Sequence, residues 1–290
     1  MIAFTKMEGL GNSYIFINNF EAQVPEERLP ELAKLVSDKN FGIGSDGLIV
    51  VLPPTSPDHD FRFRIFNADG SEAEMCGNGM RCFARFVYDK GLTRKTRFPV
   101  QTLAGTIVPE LFLGENGEVV AVKVDMGPPQ LRSTKIPMTG PEREPVVDAE
   151  LEAEGHRFVF TAVSMGNPHI VIFVDDVEAV NLAYWGPRLE HHPLFPRRTN
   201  VHFVQVQDSS HLLMRTWERG SGITLACGTG ACAVLVAAHL KGLANRAATV
   251  HLPGGSLHVE WASDGHVYMT GPANYICEGR FLRSMTATLT

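Results

Sequence analysis

Two cysteines of this chain lie in matching local sequences. Cys76 is followed by Gly77-Asn78-Gly79, and Cys227 is followed by Gly228-Thr229-Gly230. A thiolate and a thiol placed on opposite sides of an α-carbon can remove a proton from one face and deliver a proton to the other, as general base and general acid. The pair therefore predicts proton-transfer chemistry that inverts a carbon centre without any cofactor.

The segments that must position these sulfurs are helical in pattern. Apolar residues recur at helical spacing over 80–90, and 229–241 is apolar nearly all round, as in a buried central helix. Each thiol then precedes a helix N-terminus, where N–H groups and the helix dipole favour a carboxylate and are expected to lower the thiol pKa. A lone cysteine would be interpreted as a buried apolar residue, and that interpretation is kept for Cys82, Cys232 and Cys277.

The surroundings of the two cysteines repeat along the chain. An arginine lies 12 residues before each cysteine (Arg64 and Arg215), and a glycine lies 15 residues after each (Gly91 and Gly242), so that every offset is 151. Asn12 and Asn167 are related by a similar offset of 155. The repeat predicts a duplicated domain with its two copies related by a pseudo-twofold axis.

The element pattern predicts an α+β fold. The Pro-rich stretch 126–145 is typical of a loop, and it divides a first domain, 1–125, from a second, 126–267. Helices are expected at 26–38, 80–90 and 229–241. Strands are expected at 13–18, 47–52, 61–66, 119–124, 157–163, 170–174, 201–206, 212–217 and 257–261.

Composition excludes several classes of function. The chain has 290 residues, 44% of them hydrophobic, and a net charge of −6, which is typical of a soluble protein that does not bind nucleic acid. Its longest apolar run, 231–238, is too short to span a bilayer, and no signal peptide pattern opens the chain, so a cytoplasmic location is expected. The five cysteines lack the spacing of a zinc site and are expected to be thiols, so neither metal nor cofactor is predicted.

Motifs spread over the whole chain resemble those of the diaminopimelate epimerase family, in the same order. They are KMEGLGNSY at 6–14, FGIGSDGL at 41–48, FNADGSEAEMCGNGMRC at 66–82, SMGNPH at 164–169, RRTNVHFVQV at 197–206 and WERGSGITLACGTGACA at 217–233.

The resemblance implies a fold and a reaction. The fold would be two similar domains, each a curved mixed sheet around a central helix, with the active site in the cleft and a last segment, about 268–290, that returns to the first domain. The reaction would convert LL-diaminopimelate to meso-diaminopimelate in lysine and peptidoglycan-precursor biosynthesis, without pyridoxal phosphate or metal. A homodimer is also implied.

The resemblance also implies roles for individual residues. Cys76 and Cys227 would exchange the protons, and His169 would be a supporting residue. Arg219 suits a distal carboxylate, because guanidinium binds carboxylate bidentately. The substrate-binding positions would be Asn12, Asn67, Gly77, Asn78, Asn167, Asn200, Glu218, Arg219, Gly228 and Thr229. Glu8 and Ser13 stand where the family often has His and Asp. Both flank Asn12, so the wall of the pocket beside Asn12 is expected to differ in detail from that of the family.

Three alternatives stay open on the sequence. A two-thiol racemase of proline, hydroxyproline or histidine would share the mechanism but needs to bind only one amino-acid end. A cysteine hydrolase would use Cys227 or Cys76 as nucleophile and His169 as base, and it leaves the second cysteine unexplained. A non-enzymatic amino-acid-binding protein would exchange no α-proton.

Overall fold

The computed structural model describes residues 1–282, and it divides into two compact units. Unit 1 consists of Met1–Val124 and the segment that begins at Gly271, and unit 2 is Asp125–Thr270. Residues 283–290 of the expected returning segment lie outside the described residues.

The elements are numbered along the chain. The α-helices are α1 (Asn19–Ala22), α2 (Leu29–Ser37), α3 (Gly77–Asp89), α4 (Leu182–Glu190) and α5 (Gly228–Leu240). The strands up to residue 125 are β1 (Ile2–Gly9), β2 (Asn12–Asn18), β3 (Gly47–Leu52), β4 (Phe61–Asn67), β5 (Glu72–Ala73), β6 (Val100–Thr102), β7 (Gly105–Ile107), β8 (Glu110–Leu113) and β9 (Val119–Asp125). The later strands are β10 (Val146–Ala153), β11 (His156–Ser164), β12 (Pro168–Phe173), β13 (Asn200–Asp208), β14 (His211–Glu218), β15 (Gly222–Thr224), β16 (Ala247–Leu252), β17 (Gly255–Trp261), β18 (Val267–Gly271) and β19 (Asn274–Phe281). Short 3₁₀ turns lie at Glu26–Arg28 and Ser133–Lys135.

Unit 1 is built on an eight-stranded mixed sheet in the order β19-β1-β2-β3-β4-β6-β7, with β5 paired to β4. Strand β3, Gly-Leu-Ile-Val-Val-Leu, is buried at every position because helices cover both of its faces. Leu48 and Val50 pack into a core cluster with α2, while Ile49 points the other way and lies against the first turn of α3.

Unit 2 has a mixed sheet that runs β10-β11-β12-β13-β14-β16-β17-β18, with β15 paired to β14. Helix α5 packs against β11, β12, β13, β16 and β17, and all its residues from Gly230 to Ala238 are buried. Ile170, Phe203 and Leu189 of α4 belong to the apolar cluster of the unit. The helix that the sequence predicted to be buried all round is therefore the central helix of this unit.

The two units share one order of connections. In unit 1, β2 pairs parallel with β3, β3 antiparallel with β4, and β4 antiparallel with β5 and parallel with β6. In unit 2, β12, β13, β14, β15 and β16 pair in the same sequence of parallel and antiparallel steps. Helix α3 enters between β5 and β6, and α5 enters between β15 and β16. Positions on β2–β6 and α3 therefore have counterparts on β12–β16 and α5.

The expected α+β class is confirmed, and most predicted elements are present with ends moved by a few residues. Among the elements that the pattern missed are α4, whose sequence contains Pro187, and β1, β10 and β16. In strand β1 the alternation of buried and less buried residues is visible in the structure but not in the residue types. Among the described residues, no helix is long and apolar enough to cross a membrane.

Candidate active site

Cys76 is the N-cap residue of α3. Its backbone is extended (φ −142°, ψ 120°), and its sulfur accepts a hydrogen bond from the Gly79 N–H at 3.4 Å. A side chain at Gly79 would bring a Cβ within 2.8 Å of Ile49 Cδ1, so the second glycine of the motif lets α3 approach the sheet. The sulfur is thus held at the positive end of a helix, half-buried.

Tyr14 of β2 supplies a second contact to this sulfur, one that the sequence analysis did not identify. Its hydroxyl oxygen lies 3.2 Å from Cys76 Sγ. Burial, followed by the charge of Cys76, raises the pKa of Tyr14 well above its ordinary value. The hydroxyl therefore keeps its proton and can donate it in a hydrogen bond to the sulfur. Its only signal in the sequence is its place two residues after Asn12.

Asn12 and Asn78 are brought together beside Cys76. Asn78 Nδ2 donates to Asn12 Oδ1 at 2.6 Å, and Asn78 Oδ1 accepts from Arg81 Nη1 at 2.9 Å. Arg81 is fully buried and also donates to the carbonyl of Pro272 at 3.0 Å. This arginine was not singled out by its sequence, yet it determines which way the Asn78 amide points.

Asn67 and the two departures from the family pattern make local contacts. Asn67 is exposed at the end of β4, and its amide donates to Ser71 Oγ at 2.9 Å. The Glu8 carboxylate accepts from Gly11 N at 2.8 Å and from Asn274 Nδ2 at 2.7 Å. The Ser13 N–H donates to Asp46 Oδ2 at 2.8 Å. Glu8 thus holds the turn that precedes Asn12.

Cys227 occupies the same place before α5 that Cys76 occupies before α3. Its backbone is again extended (φ −132°, ψ 104°), and its side chain is 4% exposed. The Sγ atom lies 3.7 Å from the hydroxyl of Thr229, in the first turn of the helix. A Cβ at Gly230 would come within 2.9 Å of this sulfur and 2.5 Å of His202 Cε1, so glycine is required where the helix, the sulfur and the imidazole meet.

The expected lowering of the pKa is wrong for Cys227. Burial raises the pKa of this thiol well above its ordinary value, and the neighbouring Glu218 carboxylate raises it further. The hydrogen bonds from Thr229 and from the Gly230 N–H act in the opposite direction but are outweighed. In this structure Cys227 is therefore a thiol, ready to give a proton rather than to take one.

A buried network extends from Thr229. Asn167 Nδ2 lies 3.4 Å from Thr229 Oγ1, and Asn167 Oδ1 lies 2.8 Å from His169 Nε2. His169 Nδ1 is 2.8 Å from His202 Nε2, and His202 Nδ1 is 2.7 Å from Thr216 Oγ1. His169 therefore contacts neither Glu218 nor Cys227 through these bonds, and His202 and Thr216 are buried polar residues that the motif analysis missed.

Two histidines of this network and Cys227 are donor groups that suit a metal. Within the described residues, ligand atoms of His169, His202 and Cys227 lie within 4.8 Å of one another. Both ring nitrogens of each histidine, however, already have a hydrogen-bond partner. A metal ion would have to break the bond between the imidazoles, so the donor set fits a hydrogen-bonded row better than a metal site.

The remaining predicted binding residues of unit 2 lie at the edge of β13 and β14. Asn200 Nδ2 donates to the Pro168 carbonyl at 2.8 Å, and Asn200 Oδ1 accepts from the Arg219 N–H at 2.9 Å. The Arg219 guanidinium is exposed and donates to the carbonyl of Arg197. Glu218 accepts from Thr224 Oγ1 at 2.6 Å and faces Cys227. Asn200 thus orients the backbone that carries both charged side chains.

Comparison with solved structures defines the class of fold. The chain superposes on a probable proline racemase from Agrobacterium radiobacter K84 with a TM-score of 0.71, at 16% identity over 99% of this chain and 94% of that one. At that identity the likeness establishes the fold alone: two sheet-rich units of the proline racemase type.

Comparison of sequences then establishes the family. The family model for diaminopimelate epimerase matches residues 4–132 and 161–276. A diaminopimelate epimerase from Moorella thermoacetica is 54% identical over 96% of this chain and 98% of its own length, and one from Desulfitobacterium hafniense is 52% identical over 96% and 97%. The chain belongs to the diaminopimelate epimerase family, a family of isomerases.

Proposed function

We propose that this protein converts LL-diaminopimelate to meso-diaminopimelate with Cys76 and Cys227 as its two proton-transfer groups. The observation that carries the proposal is the equivalence of the two sulfurs. Each sulfur belongs to the residue immediately before the central helix of its unit, and that helix follows the same order of strands in both units. In both units a glycine N–H is directed at the sulfur. A one-thiol enzyme would have no use for both.

The surroundings of the sulfurs support different starting states. Cys227 is buried beside the Glu218 carboxylate, which holds it as a thiol. Cys76 is less buried, and its sulfur is contacted by the Gly79 N–H and the Tyr14 hydroxyl, two groups that stabilise a thiolate. In the proposed reaction Cys76 removes the α-proton from one face of the substrate, and Cys227 protonates the carbanion from the other.

The developing negative charge needs donors that are already in place. The first turns of helices α3 and α5 follow the two thiols, and their N–H groups at Gly77, Asn78, Gly228 and Thr229 have no acceptor within the helix. We propose that these groups hold the reacting α-carboxylate and stabilise its enolate-like form. In this proposal the positive ends of the helix dipoles stabilise the negative charge of the substrate and do not lower the pKa of Cys227.

Both ends of diaminopimelate carry an ammonium and a carboxylate, and the polar set can bind both. Arg219 offers an exposed guanidinium for the distal carboxylate. Glu218 and the amide oxygens can accept from ammonium groups. The proposed set is Asn12, Asn67, Asn167, Asn200, Glu218 and Arg219.

Three further properties are proposed from the sequence and the family resemblance. They are a division into a domain of 1–125 with the returning segment and one of 126–267, a cytoplasmic location, and a homodimer.

The test is solvent exchange measured by NMR. Reduced protein is incubated with LL-diaminopimelate in D₂O with EDTA present and no cofactor added, with proline and histidine in parallel. We expect deuterium at one α-carbon and formation of the meso isomer, both abolished in Cys76→Ala and in Cys227→Ala. Exchange with proline or histidine alone would replace the substrate, and exchange with none of the three would refute the proposal.

A further inference from the structure

Three buried polar side chains form a row across adjacent strands of unit 2, which we call the histidine row: His169 on β12, His202 on β13 and Thr216 on β14. Strand register creates the row. His169 pairs with Asn200, two residues before His202, so both imidazoles lie on one face, and His202 pairs directly with Thr216. All three side chains are 0–1% exposed.

The direction of each hydrogen bond in the row follows from its chemistry. Burial lowers the pKa of His169 well below its ordinary value and that of His202 to about 3, so both rings are neutral and each has one N–H. Asn167 Oδ1 can only accept, which places the His169 proton on Nε2. His169 Nδ1 must then accept from His202 Nε2–H, and His202 Nδ1 must accept from the Thr216 hydroxyl.

The row ends at the catalytic sulfur. With its oxygen turned to His169, the Asn167 amide presents Nδ2 to Thr229 Oγ1. The Thr229 hydroxyl, which accepts that bond, can direct its own proton to Cys227 Sγ at 3.7 Å. Every donor from β14 to the sulfur therefore points the same way.

The counterpart of the row in unit 1 shows that the fold does not need it. Tyr14 pairs with Gly47 on the parallel neighbour, and Ile49, two residues further, pairs with Ile65. The same strand pairings connect the histidine row in unit 2. Unit 1 therefore has Ile49 at the position of His202 and Ile65 at the position of Thr216. Because buried polar groups cost free energy unless they are paired, the polar version in unit 2 calls for a function.

We propose that His202 and Thr216 are positioning residues for the epimerase reaction, which set the tautomer of His169 and thereby aim the Thr229 hydroxyl at Cys227. The inference rests on the proposed function, since it concerns how one of its two thiols is prepared. His202 touches no substrate in this scheme. It acts by keeping Asn167 and Thr229 in one hydrogen-bonded arrangement.

The first test is a long-range ¹H–¹⁵N NMR spectrum of the whole reduced protein labelled at histidine nitrogen, at pH 7. We expect both His169 and His202 as neutral Nε2–H tautomers, with signals assigned through His169→Gln and His202→Gln. A proton on Nδ1 of either ring, or a charged ring, would overturn the inference. This measurement uses the native protein and needs no substrate.

The second test compares variants by alkylation of Cys227 and by steady-state kinetics. His202→Phe keeps the ring but removes both hydrogen bonds, and we expect kcat to fall by roughly 10- to 100-fold with KM little changed. Alkylation of Cys227 should move to higher pH, because the Thr229 bond lowers its pKa. His202→Gln retains a donor toward His169 and should recover most of both properties.

A matched control lies on the same unit. His251 also bonds to another histidine, with its Nε2 3.0 Å from His211 Nδ1, but on the surface. His251→Phe should match the native protein in both readouts. An alkylation profile of folded His202→Phe that coincides with the native one would overturn the inference. Native protein with the expected tautomers but no deuterium exchange would instead refute the proposed function, so the two failures are distinguishable.

Discussion

The hydroxyl oxygen of Tyr14 lies 3.2 Å from the sulfur of Cys76. The corresponding position of unit 2 is His169, which points its ring nitrogens to Asn167 and His202 instead. The two cysteines that precede equivalent helices thus have different neighbours. The Cys76 sulfur is in contact with the hydroxyl of Tyr14. The Cys227 sulfur is buried beside the Glu218 carboxylate, whose negative charge disfavours a thiolate.

Replacing Tyr14 by Phe should slow the reaction of Cys76 with iodoacetamide. The change removes one hydrogen bond to the thiolate, worth about 1 kcal/mol, which corresponds to about a fivefold lower rate at fixed pH. Peptide mass spectrometry would follow Cys76 and Cys227 separately, and Cys227 serves as the internal control. Equal rates at Cys76 in the two proteins would show that the hydroxyl does not act on the sulfur.

Glu218→Gln should make Cys227 easier to alkylate. After burial, the Glu218 carboxylate is the largest cause that raises the pKa of this thiol. Its removal lowers the pKa, so thiolate forms at lower pH, and alkylation at pH 8 should be several-fold faster. Asp208→Asn, an exposed change at the far end of β13, should leave the rate unchanged. Slower alkylation in Glu218→Gln would mean that the carboxylate does not face the sulfur.

Mild oxidation without substrate should inactivate the enzyme reversibly. If both sulfurs approach one α-carbon, as proposed, an oxidant can join Cys76 to Cys227, and dithiothreitol should restore activity. The experiment uses Cys277→Ser, because Cys277 is exposed and would form unrelated disulfides. Peptide mapping should find the 76–227 crosslink. Activity that survives the oxidant would count against sulfurs that face each other.

Stability should fall as the pH drops below neutrality. Burial lowers the pKa of His202 to about 3, and it also lowers the pKa of His169. Below about pH 6.5 the unfolded chain therefore binds more protons than the folded chain does. The stabilisation is therefore complete above that pH and is lost progressively toward pH 3. Between pH 7 and pH 5, His202 alone should cost about 2 kcal/mol in the free energy of unfolding. Urea unfolding should show a smaller loss in His202→Gln, and an equal loss would contradict the assignment.

The sequence predicts the proposed two-thiol chemistry because the two motifs that carry it are local. A thiol, a Gly-x-Gly step and a helix follow one another within a few residues, and the interval of 151 residues marks their repetition. Local periodicity likewise located α3 and α5. Strands such as β10 and β16 lack a comparable signal, since their pairing depends on segments that are distant in the chain.

The protonation state of Cys227 was beyond the reach of the sequence. The helix N-terminus suggested a lowered pKa, but burial and the approach of Glu218, nine residues earlier, decide it in the opposite direction. Both are tertiary effects, because they depend on α5 being enclosed by strands that are distant in the chain.

The two candidate thiols, the internal repeat and the α+β class follow from residue types and their spacing. The groups that touch each sulfur depend on tertiary contacts: Tyr14 lies beside Cys76, and the histidine row leads through Thr229 to Cys227. Those contacts join residues 62 and 33 positions apart, and strand register, which no local pattern specifies, brings them together.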